Sequence, residues 1–298
     1  MTLTSSALLR KSLVCAAGLV AAAASYAQTS SVVLAQAQPA ATPAPAVAVD
    51  KTAAQIDAEN SRRWSIYWGW NRSTYSNSTI HFKGSDHDFT LHDVKATDMQ
   101  TNTGLADIFK YYLNPAEITI PQTNLRVAYQ LDGDTAIALN LDHMKYVVVQ
   151  DQSVAIDGQI KGVTQSGQQV IADNWLNFEH TDGLNIVSLE YEKQKKVDWF
   201  GGDRTKVFAL VGLGIVIPKT NATMHMVNQT RNDEFHLAGW SVGAGVGMDV
   251  DVTKTVFVRT AYKMGYVDLP DVLTSARGDK ASHHFTYNEL LVAVGYRF

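Results

Sequence analysis

The segment FEHTDGLN, residues 178–185, places His180 two residues before Asp182. On an extended strand that spacing puts both side chains on one face, where a base can activate a nucleophile. No serine stands beside or two residues from His180, so the nucleophile is missing, and Asp182-Gly183 also reads as a plain turn. A second segment, HDFTLHD, holds His87, Asp88, His92 and Asp93 within seven residues. A loop that gathered them would offer ligands to zinc or copper. Without cysteine or a rigid helical spacing, the plainer reading is solvated polar loop residues. All nine histidines (His81, His87, His92, His143, His180, His225, His236, His283 and His284) fall in expected loops or at the outer ends of strands. The sequence is therefore read as carrying no catalytic residue, metal or other cofactor.

The elements that would position such residues begin late in the chain. Arg10 and Lys11 precede an apolar stretch from Leu13 to Ala24, and Ser25-Tyr26-Ala27 supplies small residues for a signal peptidase. Cleavage is expected after Ala27, which makes 1–27 a signal peptide and removes Cys15, the one cysteine. Residues 28–61 are rich in Ala and Pro and read as a periplasmic spacer, with a short polar helix foreseen over KTAAQIDAENSRR at 51–63. Residues 62–298 form the folded domain.

The net charge is −4, or −6 once Arg10 and Lys11 leave with the signal, and no basic stripe is available to neutralise phosphates. That argues against a nucleic-acid partner. Mean hydropathy is −0.10, and no segment after the signal has the length of a membrane helix. A membrane-spanning β-strand needs only about 9–11 residues with every second one apolar, so ordinary hydropathy is compatible with a barrel.

The alternation is there. At the chain's end Leu290, Val292, Val294, Tyr296 and Phe298 share one face, and Glu289, Leu291, Ala293, Gly295 and Arg297 share the other. The same two-residue period runs through 256–266, 240–250, 207–215, 184–194, 135–147, 124–131 and 64–71. The non-apolar face carries Arg126, Asn140, Asp142, Glu190, Asp249, Arg259, Lys263, Glu289 and Arg297 together with clustered glycines. Such a face suits a narrow lumen in which long charged side chains meet as an ion-pair network. Trp64, Tyr129, Phe257, Tyr296 and Phe298 are expected in one interfacial girdle, and Trp70, Tyr146, Trp240 and Tyr266 in the other. Short connections at 132–135, 198–205 and 251–255 alternate with long ones near 150–183, 218–236 and 268–284.

Signal peptide, alternating strands, short turns against long loops and a last strand ending in Phe298 resemble the bacterial outer-membrane β-barrels, nearest the small monomeric barrels of OmpA type. The resemblance covers roughly 62–298 and includes no later peptidoglycan-binding domain. It implies an all-β, antiparallel up-and-down transmembrane barrel in the outer membrane of a Gram-negative bacterium. It also implies that Phe298, with Tyr296, is an address read by the barrel-assembly machinery. Eight strands are expected. Ten would result if STIHFKG and HDFTLHDVKA in the first long loop add a hairpin to the wall. Outer-membrane lipids and lipopolysaccharide are the implied partners, around a monomer. The function expected is non-enzymatic, structural or surface-interacting, with the lumen filled by side chains. A small pore or a conduit for lipid or solute is the alternative, because Gly212, Gly214, Gly243, Gly245 and Gly247 face inward. A lipid hydrolase is a lower one, since those outer-membrane enzymes carry His-x-Ser near the outer rim and this chain does not.

Overall fold

A strand with one apolar and one polar face is at rest only where its two sides meet different surroundings, and a ring of such strands leaves no unpaired edge. The computed structural model of the chain describes residues 62–98, 122–200 and 204–298. The expected signal peptide and spacer lie outside the described residues, as does nearly all of the helix foreseen at 51–63. The strands are β1 (Trp64–Tyr75), β2 (Ser78–Lys83), β3 (His87–Val94), β4 (Ala96–Thr97), β5 (Thr123–Gln130), β6 (Thr135–Val148) and β7 (Gln152–Ile160). They continue as β8 (Val163–Ile171), β9 (Leu176–Val197), β10 (Thr205–Pro218), β11 (Asn221–Met224), β12 (Gly239–Asp251), β13 (Val256–Leu273) and β14 (Lys280–Arg297).

Eight of them close a ring in the order β1, β5, β6, β9, β10, β12, β13, β14, with β14 returning to β1. Every pairing is antiparallel, and the seam runs from Ser65 opposite Arg297 to Tyr75 opposite Tyr287. Below it Trp64 and Phe298 exchange both backbone hydrogen bonds, at 3.1 and 2.9 Å. The foreseen extra hairpin exists as β2 and β3, yet it is not part of the wall. It continues the edge of β14 above the point where β1 leaves, and β7 and β8 extend the same sheet. β4 bridges β1 and β6 above the start of β5, and β11 lies along the outer end of β9. The long connections thus fold into a cap of strands on one end of the barrel.

The wall has an uninterrupted apolar belt. Trp68, Leu125, Leu139, Leu189, Leu213, Val246, Met264 and Leu290 all face outward and exposed, one on each of the eight wall strands. An apolar surface that encircles the molecule is stable only in hydrocarbon, so the belt is where the barrel crosses a bilayer. Above the belt the pattern inverts. On β14 the outward residues beyond Leu290 are Asn288, Thr286, His284 and Ser282, while Tyr287, Phe285, His283 and Ala281 are buried inside. Water now lies outside and the apolar cap core within.

Several expectations are corrected by this inversion. The supposed loop at 150–183 contains β7, β8 and the first turn-free stretch of β9. The one at 268–284 shrinks to Thr274–Asp279, because β13 and β14 run on into the cap. Two girdle assignments also fail: Tyr146 is buried in the cap core, and Phe257 points inward beneath Arg297. Each sits on the inward side of its strand, where an aromatic ring fills space and does not meet lipid.

Candidate functional site: the charged lumen and the histidine pair above it

Inside the belt, strands on different sides of the bore aim opposite charges at one another. Arg126 on β5 gives Nε to Glu190 at 2.7 Å and Nη2 to Glu192 at 2.9 Å, both on β9. Arg259 on β13 holds Asp249 of β12 through Nε at 2.6 Å and Nη2 at 2.9 Å. The same guanidinium crosses the lumen to Glu192 at 3.0 and 3.1 Å. Lys263 donates to Asp142 at 2.8 Å and lies 3.1 Å from Glu190. Arg297 lies 3.4 Å from Asp249 and contacts Asp251. The carboxamide of Asn124 donates to Glu289 at 2.7 Å and also to Asp142, and accepts from Asn71 at 2.7 Å. Tyr67 donates to Asn140 at 3.4 Å.

Burying this many charges is tolerable only because each cation meets more than one carboxylate, at short range and through directed donors. Aromatic rings complete the enclosure. Arg259 lies 4.0 Å from the ring centroid of Phe208 and 5.4 Å from that of Tyr67, so its guanidinium is clamped across the bore. Among the expected network residues, Glu289 keeps Oε2 and Asn140 keeps Nδ2 without a partner among the described residues. Glu192 was not foreseen. It follows Glu190 by two residues and shares its face, so the alternation that exposed Glu190 also carried Glu192. Of the inward glycines, Gly245 makes room for Lys263, whose Cγ would stand 2.9 Å from a Cβ there. Gly212, Gly214 and Gly243 line a narrow cleft beside Lys263 and Tyr287, with room for about one water molecule.

The cap core holds the second polar arrangement. His180 is not a loop residue: it lies on β9, fully buried against Tyr146 and Phe178. Its Nδ1 lies 2.8 Å from Thr220 Oγ1, and its Nε2 lies 3.2 Å from Nε2 of His283 on β14. His283 Nδ1 lies 3.4 Å from Ser78 Oγ, which donates to the His284 carbonyl at 2.9 Å. With that last donor fixed, the tautomers follow by assignment: Thr220 donates to His180, His180 to His283, and His283 to Ser78. Asp182 follows on the same strand. A base enclosed in this way has no opening toward a lipid ester.

HDFTLHD is a strand, not a loop, and its alternation scatters the four candidate ligands. His87 turns into the cap with Nδ1 2.9 Å from Asp86, while Asp88 faces out and pairs with His81 at 2.7 Å. His92 contacts Asp157 of β7, and Asp93 accepts from Asn77 at 2.9 Å. Among the described residues, no group of three or more His, Cys, Asp or Glu is placed to hold a metal ion. At the other end of the barrel Tyr296 and Phe298 face outward with rings stacked at 6.2 Å.

No protein-family model matches the sequence, and no curated protein matches it. Solved structures with similar folds include Neisserial surface protein A, at 11% identity and a TM-score of 0.35, covering 79% of this chain and 97% of that one. Ail, the attachment invasion locus protein of Yersinia pestis, gives 11% and 0.32, over 80% of this chain and 99% of its own. The outer membrane protease OmpT of Escherichia coli gives 6% and 0.35, over 80% and 97%. The closed antiparallel ring and its apolar belt make this protein a transmembrane β-barrel.

Proposed function

We propose that the protein is a non-enzymatic outer-membrane barrel, structural or surface-interacting, whose filled lumen anchors a folded cap outside the membrane. The observation that carries this reading is Arg259, held to Asp249 and Glu192 from opposite sides of the bore and stacked on Phe208. A bore crossed by a paired guanidinium between aromatic rings is a strut, and the cap above it closes on an apolar core. The burial of His180 supports the non-enzymatic half of the reading. Outer-membrane lipids and lipopolysaccharide would surround the belt of a monomer. Tyr296 and Phe298 would serve the assembly machinery from the seam strand.

Single-channel recording on the purified barrel in planar bilayers tests the reading. Electrical silence is the expected result, and stable conductance steps would replace it with the conduit reading.

A further inference from the structure

The register of β9 carries lysines onto the lipid-facing side of the wall. Along this strand Leu189, Tyr191, Lys193 and Lys195 are exposed, while Glu190, Glu192 and Gln194 are buried. The lysines therefore prolong the outward row that Leu189 and Tyr191 begin. Tyr191 is in register with Ile137 of β6 and Val211 of β10, both exposed and apolar. One pleat further toward the short turns, about 7 Å along the strand, Lys193 stands opposite Thr135 and Ala209. The belt ends and a cationic row begins at the same place.

Beyond the row, the connection to β10 exposes Trp199 at 62% and Phe200 at 65%. Two adjacent exposed aromatic rings lose free energy in water and gain it among lipid headgroups. Lys193 donates to Thr135 Oγ1 at 2.5 Å, on the outer side of the wall. Lys195 is exposed on the same outward row as Lys193. Long lysine stems can lie along the wall and lift their ammonium groups to the phosphate plane.

We propose that this end of β9, with Trp199 and Phe200 after it, binds the headgroup of an anionic glycerophospholipid in the leaflet at the short-turn end. Lys193 and Lys195 contact the phosphate, and Trp199 and Phe200, further from the belt, lie against the headgroup on its water side. The occupant follows from charge complementarity and from continuity with the belt, since a ligand here has its acyl chains against Leu189 and Tyr191. The proposal rests on the membrane-spanning reading of that belt.

The test uses the full chain in nanodiscs of mixed phosphatidylcholine and phosphatidylglycerol, with retained lipid identified by native mass spectrometry. Phosphatidylglycerol should be enriched by about fivefold for each lysine, the ratio equivalent to about 1 kcal/mol per charge at an anionic surface. The variant K193Q/K195Q should lose the enrichment while its unheated gel migration and melting temperature stay unchanged. Equal enrichment in the variant, or none in the unaltered chain, overturns the proposal. In parallel nanodiscs that also contain lipid A, its preferred retention over phosphatidylglycerol overturns the leaflet assignment. Failure of the unaltered chain to enter nanodiscs sinks the membrane reading itself.

Discussion

His180 and His283 stack at 26° with Nε2 atoms 3.2 Å apart, joining β9 to β14 at the centre of the cap. Through Thr220 and Ser78 the same chain of bonds reaches the loop after β10 and the strand β2. Four segments distant in sequence are thus tied by one neutral imidazole pair inside a cage of Tyr146, Phe178 and Phe285. Among the described residues, the titratable groups that meet the pair are Tyr146 and His284.

That pair makes the cap sensitive to acid. Both histidines stand above the belt, and burial holds His180 down to about 3 and His283 well below the ordinary imidazole value, with His180 and His284 adding repulsion at His283. The unfolded cap takes up protons below about pH 6.5 while the folded one does not, so its stability is full above that pH and falls as pH drops toward 3. The slope approaches about 1.4 kcal/mol per pH unit for each histidine. Hydrogen exchange at pH 7.5 and pH 5, corrected for intrinsic rates, should show residues 176–181 and 280–285 opening more at pH 5. H180Q/H283Q should remove most of that difference. Equal acid sensitivity in this variant would assign the effect to other groups.

Arg259 and Glu192 should behave as a coupled pair. Arg259→Met leaves Glu192 and Asp249 buried and short of donors, a loss on the order of 3–5 kcal/mol. Glu192→Gln strips charge from both Arg126 and Arg259 and should also destabilise. Thermal or urea unfolding in detergent should give a double variant less destabilised than the two single losses added together, by about 1 kcal/mol or more. Strict additivity would mean that the 3.0 Å contact between them contributes nothing.

The wall was legible because lipid outside and charge inside impose opposite demands on successive residues, as Leu290 and Glu289 show side by side. Where β14 leaves the bilayer, the demand reverses at Asn288, and the outward face reads as an ordinary polar loop. Strand ends such as 267–273 and 280–288 were therefore invisible as barrel, although Phe285 and Tyr287 keep the same two-residue period on the opposite phase. The same holds for His180: a histidine between polar neighbours looks solvated until Phe178 and Tyr146 enclose it. The ion pairs were only half legible. Inward positions follow from alternation, but which carboxylate serves which cation depends on the stagger between strands, and that is why Glu192 escaped notice.

Gly295 offers a test of how the lower bore is packed. It faces inward on β14, and a Cβ there would meet the Phe257 ring 2.1 Å away, while Arg297 covers the same ring at 4.1 Å. In an open strand, Gly→Ala usually helps, by limiting the unfolded chain. Here the methyl must displace a ring that is itself held by a guanidinium, so Gly295→Ala should cost about 1–3 kcal/mol. Phe257→Ala alone should cost about 3–5 kcal/mol through the cavity it leaves. Combined, the new methyl enters the space the ring vacated, and the double variant should recover part of the summed loss. Melting curves of the four proteins decide the matter: a double variant as unstable as the sum would show that the ring and the glycine do not share this space.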